Sequence, residues 1–203
     1  MRRVFSEEQL DCLQELINVA MGLASNKLAR FLSTFVYLQV PSIALVSSAQ
    51  VSPQFDNQYS GVDSALVSQG FLGNDGLTGE AIVLYQLDNA HRIATLLGYE
   101  TDSASELEML TDISSILITT FLNSLAEQID NSLSYSAPRV LSSRQENVAE
   151  ALLDTVCHWD LALKVDISYQ LIDHSFNCDM LLLIPGEAVL TIQQILVRIL
   201  EEC

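Results

Sequence analysis

The stretch DCLQELINVAMGLASNKLARFLSTFVYLQVP, Asp11 to Pro41, decides the reading of this chain. It follows Ser6-Glu7-Glu8-Gln9, an N-cap serine with a glutamine three residues on, the pattern that satisfies two orphan N–H groups where a helix starts. Leu10, Leu13, Ile17, Ala20, Ala24 and Leu28 then recur at helical spacing and predict one apolar face. At about 100° per residue, Asp11, Glu15, Asn18 and Gly22 fall within roughly 60° of one another on the other side. A polar stripe of this kind is what any amphipathic helix turns to water, and acids near its amino end also suit the helix dipole. Alone it defines no chemistry.

The rest of the chain repeats this pattern. Ser103-Ala104-Ser105-Glu106 reads as a second capping box, 97 residues after the first, ahead of Leu107, Leu110, Ile113 and Leu117. The same offset carries Asp11 to Glu108, Glu15 to Asp112, Asn18 to Ser115, Asn26 to Asn123 and Pro41 to Pro138. Chance rarely aligns a cap, two acids, an asparagine and a proline. Strand-like segments follow: SIALVSSAQV, SALVSQGF and EAIVLYQL in the first half, LALKVDISYQLI and DMLLLIP in the second. A closing helix is predicted in each half, over about 88–97 and 186–200. Loops are predicted at SPQFDNQYSG, GNDGLTG and HSFNC, where turn formers cluster. The expected fold class is α+β, with two pseudo-symmetric αβ halves sharing a mostly antiparallel sheet and two long helices packed on it. One domain is expected over 1–203, its internal repeat spanning about 6–100 and 103–203, because no linker-like segment divides the chain.

Nearly half of the 203 residues are apolar (49%), enough for a sizeable core. Nine Lys and Arg against 26 Asp and Glu give a net charge of −17, which argues against a nucleic-acid backbone or an anionic membrane as partner and favours a basic or cation-presenting protein. The start, MRRVFSEEQL, has no export-signal pattern, and apolar runs such as Met180–Ile184 are far shorter than the roughly 20 residues of a membrane span. A cytoplasmic protein is expected. Cys12, Cys157, Cys178 and Cys203 are scattered, as are His91, His158 and His174, so neither a metal site nor a histidine-based triad is predicted.

Asp11, Glu15 and Asn18, then 22 residues, then Pro41, give D-x-x-x-E-x-x-N with a distant proline. With these residues the chain resembles the CheC/FliY/CheX family of phosphatases, which act on the phosphorylated chemotaxis response regulator CheY. The family's signature is an Asp or Ser, then E-x-x-N, then 22 residues and Pro, and CheC proteins are also two pseudo-symmetric halves. The resemblance implies a hydrolase for an aspartyl phosphate. Asn18 would orient the attacking water, Glu15 would pair with the regulator's lysine, and Asp11 and Pro41 would be accessory. It implies no cofactor of the chain's own, since the regulator supplies Mg²⁺. In the second copy, Glu108 and Pro138 remain in place, but Asp112 stands where the motif has Glu and Ser115 where it has Asn, so this site is expected to be degenerate. An alternative is a non-catalytic CheC-like adaptor that binds a response regulator or a CheD-type protein. The flagellar-switch role of FliY-like members ranks third, since those carry additional domains and a target-binding extension.

Overall fold

The computed structural model describes residues 5–47, 63–87, 94, 97–99, 102–143, 162–171 and 177–202. Three α-helices lie among the described residues: α1 (Glu7–Leu32), α2 (Ser103–Gln128) and α3 (Gly186–Glu202). The strands are β1 (Val36–Leu38), β2 (Ser42–Val46), β3 (Ser64–Gly73), β4 (Thr78–Gln86), β5 (Leu133–Tyr135), β6 (Arg139–Ser143), β7 (Ala162–Leu171) and β8 (Asn177–Pro185). A short 3-10 turn, Asn74–Gly76, closes the β3–β4 hairpin within the GNDGLTG segment. Of the predicted helix over 88–97, Ala94 and Leu97 are described and both are helical, with Ala94 buried. The rest of that helix, the loop at 52–61, Cys157, Cys203 and the three histidines lie outside the described residues. Of the HSFNC segment, Asn177 and Cys178 open β8 rather than belonging to a loop.

Both long helices begin at side-chain caps. Ser6 accepts a hydrogen bond from the Gln9 amide at 3.1 Å, while the Gln9 side chain accepts one from the Ser6 amide at 2.8 Å, as the capping box predicts. At α2 the expectation of a Ser103 box is corrected. Asp102 is the N-cap, its Oδ1 accepting from the amides of Ala104 and Ser105, both at 2.9 Å. A carboxylate caps as well as a hydroxyl and gains further from the positive end of the helix dipole. Beyond the helices the 97-residue offset returns: Ser33 and Asp130 both turn the chain through left-handed backbone at φ 52°.

All strand pairs are antiparallel, in one sheet of order β1-β7-β8-β4-β3-β5, with β2 also on β7 and β6 also on β3. Exchanging the two halves of the chain leaves this order unchanged, and the central strands meet with Ile82 opposite Leu181. Each half gives its short strands to the other's long hairpin: β1 and β2 pair with β7, β5 and β6 with β3. Neither half can complete its sheet alone.

Helices α1 and α2 lie against each other over the sheet. Leu13, Ile17, Ala20, Ala24 and Leu28 are buried on α1 and Met109, Leu110, Ile113, Leu117 and Phe121 on α2, in one cluster with Val67, Val83, Val165, Ile167, Met180 and Leu182 of the strands. Leu10, read from periodicity as part of that face, is exposed in the first turn. By length and composition α2 is apolar enough to cross a membrane, but more than half of that stretch is buried inside the protein, which accounts for its apolarity. Leu66, Ile82, Leu84, Leu181 and Leu183 are buried as well, so the central strands are apolar on both faces.

Candidate functional site

Along α1, Asp11, Glu15 and Gly22 are exposed and Asn18 is half-buried, so the predicted stripe lies at the surface. A Cβ built on Gly22 meets nothing within 4 Å, so this glycine is not required by packing. Val19 and Leu23, both exposed apolar residues at 43% and 49%, border the stripe on the Glu15 side. The left-handed turn at Ser33 reverses the chain into β1, and by Pro41 the backbone has returned to the side of α1.

Gln14 makes that juncture. Its Nε2 donates to the Pro41 carbonyl at 3.4 Å and to Asn18 Oδ1 at 3.4 Å. The structure thus brings Asn18 and Pro41 together through a residue that the motif does not contain. The signal for it was local: Gln14 lies four residues before Asn18, where helical side chains meet. A second clamp comes from α2, where Gln128 Nε2 donates to the Leu16 carbonyl at 3.1 Å while also reaching its own helix at Ser124 O, 3.1 Å. Leu16 sits between Glu15 and Asn18, so this bond fixes the rotation of α1 at the stripe. The stripe offers two exposed carboxylates, Asp11 and Glu15, and at Asn18 an amide that can donate and accept. Such groups can pair with a cation and orient a water.

The second copy is arranged differently. Glu108 and Asp112 are exposed, and Ser115 and Pro138 are half-buried. Thr111 takes the place of Gln14, and its hydroxyl donates to Leu107 O of its own helix at 2.7 Å. Asp112 accepts from the Tyr99 hydroxyl at 2.6 Å. That bond, with lesser contributions from burial and from the charges of Asp112 and Glu108, pushes the Tyr99 hydroxyl up to about 12. The acid is already engaged by a neighbour, and where the first copy has an amide the second has a shorter hydroxyl.

Two long helices packed on an eight-stranded antiparallel sheet, whose strand order is the same from either end, define an α+β fold shared with solved FliY, FliM middle-domain and CheX structures. Thermotoga maritima FliY shares this fold at 16% identity, with 97% of this chain and 99% of that chain covered and a TM-score of 0.70. So do the FliM middle domain from H. pylori (14% identity, 94% and 99% covered, TM-score 0.59) and the chemotaxis protein CheX from Vibrio vulnificus (14%, 84% and 99%, 0.56). No protein-family model and no curated protein sequence matches the chain. At such identities the likeness is one of fold.

Proposed function

We propose that this chain is a cytoplasmic CheC-like phosphatase that hydrolyses the aspartyl phosphate of a CheY-type response regulator in chemotaxis. The observation that carries the proposal is the Glu15–Asn18 stripe at the surface of α1, Glu15 exposed and Asn18 half-buried, with Pro41 joined to Asn18 through Gln14. Hydrolysis of an acyl phosphate needs a water in line with the leaving carboxylate and compensation of the phosphoryl charge. On this reading the regulator brings the Mg²⁺ and the lysine that offset that charge, so this chain supplies orientation. Asn18 holds the attacking water, a geometric contribution. Glu15 pairs with the regulator's lysine in a charge-assisted contact that sets the register of the helix on its partner. An amide suits the position next to the phosphoryl group because it adds no negative charge there. Asp11 is accessory, and Pro41 fixes the returning backbone against α1. The Asp112/Ser115 copy takes no part.

A second reading is a docking module without turnover, binding a response regulator or a CheD-type protein. The apolar Val19 and Leu23 beside the stripe and the engaged Asp112 favour it. One titration separates the two: phosphorylated regulator is mixed with increasing amounts of this protein, and both complex formation and phosphate release are followed. Release that quickens and saturates supports the phosphatase; a saturable complex with unchanged release supports the docking module.

A further inference from the structure

We propose that Gln14 is a positioning residue that fixes which end of the Asn18 amide faces the phosphoryl group, an inference that rests on the phosphatase reading above. The hydrogen bonds themselves settle the orientation. The Pro41 carbonyl can only accept, so the Gln14 group 3.4 Å from it is the NH₂ end. The same nitrogen lies 3.4 Å from Asn18, which must therefore present its oxygen, Oδ1, to Gln14. The Asn18 nitrogen is left turned away from Gln14. Facing a dianionic phosphoryl group, that end puts N–H donors and partial positive charge next to developing negative charge; the opposite flip would put a carbonyl oxygen there. The oxygen keeps a second lone pair for a hydrogen of the attacking water.

An unrestrained asparagine amide flips between these two states at small energetic cost, and only one of them is productive. Gln14 removes the choice by tying the amide to backbone that is itself held, since Pro41 is buried. The distant proline of the motif thereby acquires a physical role, because its carbonyl anchors Gln14, which in turn anchors Asn18. In the second copy the anchor is missing from the sequence, because Thr111 commits its hydroxyl to Leu107 O.

The test measures release of phosphate from a phosphorylated CheY-type regulator as a function of regulator concentration, with thermal unfolding of each variant alongside. Gln14→Met keeps the length and removes the donor; kcat is expected to fall roughly 10-fold, about 1.4 kcal/mol in barrier, with KM unchanged and Tm lowered by no more than a few degrees, the loss of one hydrogen bond to the Pro41 carbonyl. Gln14→Glu leaves only an acceptor, which draws the Asn18 nitrogen inward, and the loss is expected to be larger. Gln14→Met added to Asn18→Ala is expected to cost nothing further, since Gln14 acts through Asn18. Unchanged kcat in Gln14→Met, or an equal further loss in the Asn18→Ala background, would overturn the proposal while leaving the phosphatase intact. A wild-type protein that does not quicken release, or an Asn18→Ala protein as active as wild type, would instead refute the phosphatase reading and this proposal with it.

Discussion

Two buried tyrosines flank Cys178 in the sheet, and removing their hydroxyls is expected to lower stability at one and not at the other. Tyr85 of β4 and Tyr169 of β7 both stand opposite Cys178 of β8, and both are almost wholly inaccessible. The Tyr85 hydroxyl lies 2.7 Å from Ser114 Oγ and donates to the Leu110 carbonyl at 3.1 Å, joining the sheet to the middle of α2. Among the described residues, the Tyr169 hydroxyl has no hydrogen-bond partner. Tyr85→Phe removes a satisfied hydroxyl and leaves no orphan, because Ser114 Oγ still donates to Leu110 O at 2.7 Å. The cost is then that of the hydrogen bonding alone, about 1–1.5 kcal/mol, which lowers Tm by roughly 2–6 °C in a chain of this size. Tyr169→Phe removes a hydroxyl that was desolvated without return, a burden of about 1–3 kcal/mol by mutational scales, so Tm is expected to hold or rise. Burial is the main reason that both hydroxyls lose their protons far above the ordinary tyrosine range, with the nearby Cys178 adding to it. The unfolded chain releases these protons near pH 10 and the folded chain does not, so stability is complete below pH 10 and falls above it, by about 1.4 kcal/mol per pH unit for each such tyrosine. Calorimetry and urea unfolding of the two variants at pH 7 and above pH 10 give both readouts. Equal destabilisation by the two Phe variants at pH 7, or an alkaline slope that neither variant flattens, would refute the reasoning.

Three further outcomes are expected. Asp102→Ala should lower stability by about 1 kcal/mol, the usual cost of losing an N-cap, while Ser103→Ala leaves the Asp102 bonds in place; urea midpoints distinguish them. Gly79→Ala should prevent stable folding, because its Cβ would lie 2.6 Å from the Leu183 carbonyl of β8 and 2.5 Å from the Phe71 ring; soluble yield and circular dichroism report it. Ser115→Ala should leave phosphate release unchanged, and a loss matching that of Asn18→Ala would show that both copies act.

Helix α1, with its capping box and polar stripe, was legible because everything that specifies it is local: Ser6 bonds Gln9 three residues away, and the apolar positions follow the helical period. Long strands β4 and β8 were legible as continuous apolar runs. Strands β1 and β5, three residues each, were not, because so short a segment has no period and is held only by pairing with β7 and β3. That exchange of short strands between halves is a tertiary fact with no local trace. At α2 two capping residues stand side by side, Asp102 and Ser103, and only the amide geometry shows which one caps. At the site, the spacing of Glu15, Asn18 and Pro41 was readable, but what joins the last two was not. Gln14 could be placed next to Asn18 from the sequence; its bond to Pro41 requires the turn at Ser33 and the return of the chain.

The phosphatase reading is tested most directly by the rate at which a phosphorylated CheY-type regulator loses its phosphate with a small amount of this protein present, for wild type and for Asn18→Ala. Wild type should quicken release catalytically. Asn18→Ala, folded as judged by an unchanged Tm, should lose most of that acceleration, roughly 100-fold if the amide serves to place the water within about an ångström. No acceleration by wild type, or full acceleration by Asn18→Ala, would contradict it.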